Sequence, residues 1–189
     1  PPDRCYVHNF DDSYRPKSLQ LKAGMAIQLQ RDMRRLIETA QAEIRRAFES
    51  EEYVRRRDEL SRAFNEKREK LFNQLNQLAH SNGFAIQVSP MGVILVPLMD
   101  GKPLSDQEVL ALSPEAKEQL AKRQETIQGQ IKDAMAQMRN WDREIREQVE
   151  KLDREVVQFI LEVPIDELEK NYGDAPGIDE HLKSVQEML

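Results

Sequence analysis

Cys5, His8, His80 and His181 are the side chains best suited to a soft or borderline metal ion, and Asp11-Asp12 is the pair best suited to magnesium or to acid–base work. Neither set has the spacing that chemistry needs. A zinc site draws its ligands from close pairs such as CxxC or HExxH, whereas the three histidines stand far apart and Cys5 is the sole cysteine. Asp11-Asp12 follows Asn9-Phe10, a setting in which short polar side chains bond their own backbone, so turn formation is the expected role. The seven glycines stand singly, and neither GxxxxGK[ST] nor GxGxxG occurs, so no phosphate cradle of the P-loop type is expected. No serine sits in GxSxG, and Lys17-Ser18 and Lys183-Ser184 are ordinary neighbours in so polar a chain. The expectation is a chain with no catalytic, cofactor or metal site, which works by contact.

Composition narrows the partners. Against 28 Lys and Arg stand 34 Asp and Glu, interleaved along the chain to a net charge of −6, so the basic footprint of a nucleic-acid binder is missing. The runs Arg34-Arg35, Arg45-Arg46 and Arg55-Arg56-Arg57 bias one region to positive charge, but acids flank all three, as on the outer face of a solvated helix. No apolar run reaches the roughly 18 residues of a membrane span, and a single cysteine forms no internal disulfide, which points to a reducing compartment and by default the cytoplasm. The chain opens on Pro1 rather than methionine, so a piece of a longer protein is expected.

The elements that would carry the contacts are mainly helical. Cys5-Tyr6-Val7 is a short β-prone run, and Asn9 to Pro16 reads as turn and loop. From Met25 to Phe48, the residues Met33, Leu36/Ile37, Ala40, Ile44 and Ala47/Phe48 recur at three and four, the stripe of an amphipathic helix. A break near residue 49 lets Ser50 cap a second helix, which Leu60, Phe64, Leu71, Leu75 and Leu78 carry to about His80. Asn82-Gly83 ends it.

Phe84, Ile86 and Val88 then alternate with Ala85 and Gln87, a Ser89-Pro90-Met91-Gly92 turn follows, and Val93 to Val96 returns, which predicts a β-hairpin over residues 84–98. Ser105 with Glu108 makes a capping box, and Ser113-Pro114 opens a long helix. Ile127, Ile131, Ala134, Met138, Trp141, Ile145, Val149, Leu152, Val156, Phe159 and Val163 form its heptad stripe, with one stutter after Ile145. Trp141 on that stripe is expected to pack in the seam rather than to anchor a partner. Pro164 is expected to break the helix, leaving shorter helices over 165–172 and 178–189.

The economical assembly is mainly α: a long antiparallel helical coiled coil with one β-hairpin at its far end and a small C-terminal helical cap. Residues 1–22 form a strand and loop leader, 23–163 the coiled-coil arms with the hairpin, and 164–189 a small helical segment. The hairpin's second strand is apolar on both faces, so Phe84, Ile86, Met91, Val93 and Leu95 are the candidate partner-contact residues.

Several stretches resemble a known family in order along the chain. Pro2-Asp3-Arg4-Cys5-Tyr6-Val7-His8-Asn9-Phe10-Asp11-Asp12, then Arg15-Pro16, Leu19, Leu21 and Ala23-Gly24, is similar to the P-D-x-x-Y-V-x-N-F-x-D stretch of bacterial Lon-like proteases, the branch with an inserted coiled coil. Ala47 to Tyr53, Gly83-Phe84, Pro90-Met91-Gly92, Val96 to Pro103 and Leu152 to Val156 continue the likeness. Its motif residues are Tyr6, Asn9, Phe10, Asp12, Arg15 and Pro16.

The resemblance implies a parent hydrolase: a hexameric serine protease with a Ser-Lys dyad and an AAA+-like module that could use ATP and Mg. In such a parent this region would lie in or beside the AAA+-like module and help admit unfolded or damaged protein substrates. No position here matches the dyad or a Walker motif, so no catalytic residue carries over. A prefoldin-like chaperone or coiled-coil scaffold is the alternative, because helical arms joined by a β-ribbon also describe such a subunit. A nucleic-acid-binding arm, using the arginine runs, is a third.

Overall fold

The computed structural model describes residues 1–90 and 92–188, and the chain divides into two compact units, residues 1–57 with 149–189 and residues 58–148. The elements in order are β1 (Asp3–Val7), β2 (Lys17–Leu21), α1 (Met25–Phe48), α2 (Glu51–Ser81), β3 (Phe84–Ser89), β4 (Gly92–Met99), β5 (Lys102–Pro103), α3 (Asp106–Leu110), α4 (Pro114–Tyr172) and α5 (Ile178–Met188). The fold is mainly helical, as expected, but it holds two small antiparallel sheets rather than one hairpin.

The extra sheet lies in the leader. β1 pairs antiparallel with β2, setting Asp3 opposite Leu21, Cys5 opposite Leu19 and Val7 opposite Lys17. Cross-strand partners share a face, so Leu19 and Leu21 are buried while Tyr6 and Gln20 point to solvent. Lys17-Ser18-Leu19-Gln20-Leu21 carried this period of two, but only two apolar residues announce it, and a pairing strand was needed to make it legible.

Gly24 turns the chain out of β2 with φ 87 and offers α1 no side-chain cap, and the first turn of α1 has no acid of its own. Asp3 supplies what is missing: its Oδ2 accepts from the Ala26 N–H at 3.0 Å, so β1 caps the helix that follows its own hairpin. Asp3→Ala is therefore expected to cost about 0.5–2 kcal/mol, and Asp3→Asn, which keeps an acceptor oxygen, clearly less. Urea midpoints of the two variants would separate a cap from a mere surface charge, which would make them equal.

The core of the first unit joins chain ends. Leu19 and Leu21 of β2, Leu29, Leu36 and Ala40 of α1, Leu161, Ile165, Leu168 and Tyr172 of α4, and Ile178, Leu182 and Val185 of α5 form one buried cluster. Gly177, at φ 85, leads into α5, and a Cβ there would stand 3.3 Å from Leu19 Cδ2. Tyr172 is buried, and its hydroxyl donates to Asp32 Oδ2 at 2.6 Å. Burial first, and then the Asp32 carboxylate, hold that hydroxyl well above the ordinary phenol range. Tyr53 repeats the device with Asp153 Oδ1 at 2.6 Å.

Two expectations for the long helix are corrected. α4 runs through Pro164 to Tyr172 without the predicted break. Proline removes one backbone bond and costs roughly 3 kcal/mol in a helix interior, but Leu161, Ile165, Leu168 and Tyr172 are buried on either side of it, and each buried side chain of that size contributes about 1.5–3 kcal/mol. Packing outweighs the lost bond. The seam also leaves the predicted track: Phe159 is 78% exposed and Val163 is exposed, while Leu161 is 0% exposed. The buried series Leu161, Ile165, Leu168, Tyr172 steps by four, three and four and, at about 100° per residue from Leu152, lies on the opposite face of the helix from the heptad extrapolated through Leu152 and Val156.

The break between α1 and α2 follows the expectation. Ser50 Oγ accepts from the Tyr53 N–H at 3.2 Å, and the Phe48 and Tyr53 rings meet across the break with centroids 4.9 Å apart. The capping box at Ser105 and Glu108 forms as read, and Ser113 Oγ accepts from the Ala116 N–H at 3.2 Å. Arg46 pairs with Glu43, Arg55 with Glu52 and Arg56 with Glu155, so the second and third arginine runs meet acids of their own chain.

Candidate functional site

Two surfaces concentrate the residues singled out from the sequence, one in each unit. The first is the leader hairpin, where the motif residues build the turn between β1 and β2. Asn9 is bonded on both sides of its amide: Nδ2 donates to the Arg15 carbonyl at 3.0 Å and Oδ1 accepts from the Asp11 N–H at 3.2 Å. Asp12 Oδ1 accepts from the Tyr14 N–H at 3.1 Å, and the Asp12 carbonyl from the Arg15 N–H at 3.0 Å. Arg15 lies 3.7 Å from the Asp12 carboxylate in an exposed pair, which contributes little. Asn9, Asp12 and Arg15 thus shape a loop, as short Asx side chains do. Pro16 closes the loop from an exposed position, and Tyr6 stays exposed on the solvent face of β1.

Phe10 does different work. Its ring stands edge-on to His8 at 4.8 Å and lies nearly parallel to His181 of α5 at 6.2 Å. Cys5, Val7, Phe10, Met33 and His181 line a groove of about 450 Å³ on this unit. His181 is buried, and its Nδ1 has no hydrogen-bond partner among the described residues. By residue type His181 is a candidate metal ligand; its place on the buried stripe Ile178, His181, Leu182, Val185 is the signal that marks it as a core residue.

Burial chiefly, with the charges of Lys17 and His8 adding, lowers the His181 pKa below the ordinary 6.5. The folded chain then binds fewer protons than the unfolded chain, so stability rises with pH across the window from the depressed folded value up to about 6.5. On acidification through that window the protein is expected to lose stability, by at most about 1.4 kcal/mol per pH unit for one group. Urea midpoints between pH 7 and 5.5, compared with His181→Gln, test this. An equal slope in both proteins would remove His181 as the cause.

The second surface is the ribbon of residues 84–103. β3 pairs antiparallel with β4, with Phe84 opposite Pro97, Ile86 opposite Leu95 and Val88 opposite Val93. Phe84 is 0% exposed and forms a cluster with Ala79 of α2 and Ile127 of α4, against which Ile86 and Leu95 also pack. Val93 is half-buried. Met91 lies outside the described residues.

So Phe84 is a packing anchor, and Ile86 and Leu95 cover it. The side chains left on the surface are Val88, 64% exposed, and Ile94, 51% exposed, with Met99 beyond them. These three were missed as contact candidates, because alternation alone does not say where the supporting helices stop. From Phe84 to Met99 the chain holds no charged residue, in a protein one third of whose residues are charged.

No helix among the described residues is long and apolar enough to cross a membrane, and no three His, Cys, Asp or Glu side chains among them are placed to hold a metal ion. Residues 3–36 match the family model of the Lon-like LonC helical domain. That short match supports a Lon-like protease region. It spans β1, β2 and the first half of α1, and so takes in the Asn9 and Asp12 loop, the Asp3 cap and Phe10. No curated protein matches the chain.

Proposed function

We propose that this chain is the substrate-engagement and assembly segment of a Lon-like ATP-dependent serine protease and is not catalytic by itself. The observation that carries the reading is the match of residues 3–36 to the Lon-like LonC helical domain. The uncharged ribbon with Val88 and Ile94 at its surface supports a role in holding unfolded or damaged protein. In this reading residues 1–22 join the AAA+-like module, residues 23–163 form antiparallel coiled-coil arms with the ribbon at their end, and residues 164–189 form a small helical segment. The parent is a cytoplasmic hexamer that supplies the Ser-Lys dyad and any use of ATP and Mg, and neither nucleic acid nor membrane is a partner.

Binding of reduced, carboxymethylated lactalbumin by the 189-residue chain tests the reading. Saturable binding is expected, with no cleavage of a labelled peptide. Failure to bind, or cleavage lost on replacing one serine of this chain, would defeat it. A prefoldin-like holdase would bind the same probe, but the leader match to a Lon-like model favours the protease segment. The surrounding reading frame separates the two by encoding a Ser-Lys protease domain or none.

A further inference from the structure

The ribbon has an open backbone edge. The Leu98 N–H donates to the Gly83 carbonyl at 2.7 Å, which makes that opposed pair a hydrogen-bonded one. Such pairs alternate along an antiparallel ladder, so Ala85, Gln87 and Ser89 aim their N–H and C=O groups at β4, and Phe84, Ile86 and Val88 aim theirs away from it; Phe84 is fully buried, so the accessible edge is that of Ile86 and Val88. Pro97, which has no N–H, accordingly stands opposite Phe84 at a position that needs none. In the sheet order β3-β4-β5, β3 is an edge strand.

Edge strands are ordinarily blunted by lysine, proline, inward charge or a bulge. β3, Phe-Ala-Ile-Gln-Val-Ser, has no charge and no proline, and its pairing with β4 runs unbroken from Phe84 to Ser89. The outward amides and carbonyls of Ile86 and Val88 are left to water, a template with which a further strand can pair.

We infer that the outer edge of β3 binds an extended, uncharged segment of unfolded polypeptide by strand addition, with Val88 beside it as the apolar contact. This rests on the substrate-engagement reading and names the chemistry of that contact: main-chain bonds supply affinity without regard to sequence, as in β-augmentation. A second copy of the chain fits less well. The six residues of β3 extend about 20 Å at ~3.3 Å per residue, too short an edge to bury the roughly 1,200 Å² or more of a stable interface.

The test uses the 189-residue chain and two probes, carboxymethylated lactalbumin and a fluorescein-labelled peptide alternating valine and serine between terminal lysines. Val88→Pro removes one outward N–H and leaves the β4-facing bonds in place, and at least tenfold weaker binding of both probes is expected. With the unaltered protein, N-methylation of the peptide's amides keeps its side chains and removes its donors, and a loss of tenfold or more is again expected.

Equal affinity for the methylated and unmethylated peptides overturns strand addition while lactalbumin binding keeps the engagement reading. No lactalbumin binding at all overturns both. A dimer in sedimentation that Val88→Pro dissolves, with no probe bound, assigns the edge to self-pairing and overturns the inference.

Discussion

Phe84→Ala is expected to destabilise the second unit by about 3–5 kcal/mol, the cost of emptying a fully buried aromatic site. Phe84 is 0% exposed and packs with Ala79 and Ile127, so its removal leaves a cavity bounded by a strand and two helices that cannot all close on it. Trp141 is the single tryptophan and lies in this unit, so its fluorescence during urea unfolding reads the loss directly. Val88→Ser, on the exposed end of the same strand, is expected to change stability by less than about 0.5 kcal/mol. If the two variants were equally mild, Phe84 would not be anchoring the ribbon. A ribbon held this way is fixed to the helices beneath it.

In the first unit, Leu161→Ala is expected to cost about 2–5 kcal/mol and Phe159→Ala less than about 0.5 kcal/mol. The comparison is sharp because the heptad read from the sequence placed Phe159 in the seam, whereas Leu161 is 0% exposed and Phe159 is 78% exposed. Amide hydrogen exchange across α5 gives the readout, since Leu161 shares a cluster with Ile178 and Leu182. Loss of protection in α5 with Leu161→Ala, and none with Phe159→Ala, is the expected pattern. The reverse would restore the heptad as the packed face.

Local chemistry was easiest to read where it is short in range. Ser50, Ser105 with Glu108, and Ser113-Pro114 begin helices as expected, because a cap involves neighbours within three or four residues. The first arm's stripe was legible for the same reason, and Leu36 and Ala40 are buried as the 3.6 period requires. The β3 and β4 ribbon was readable from a period of two around a turn. Its buried anchor was not, since Phe84 and Val88 look alike in the alternation and differ only in what lies beneath them.

Composition and short-range pattern were enough to determine that this is a mainly helical chain, where most helices begin, that a ribbon interrupts them, and that no motif for catalysis or nucleotide binding is written into it. The tertiary structure alone decided three things. It paired residues 3–7 with 17–21, carried α4 through Pro164, and turned the packed face from Phe159 to Leu161. Each depends on residues distant in sequence: Leu19 meets Leu161, Ile178 and Leu182 in one core, and burial there outweighs the local preferences that argue for a loop, a break and a regular heptad.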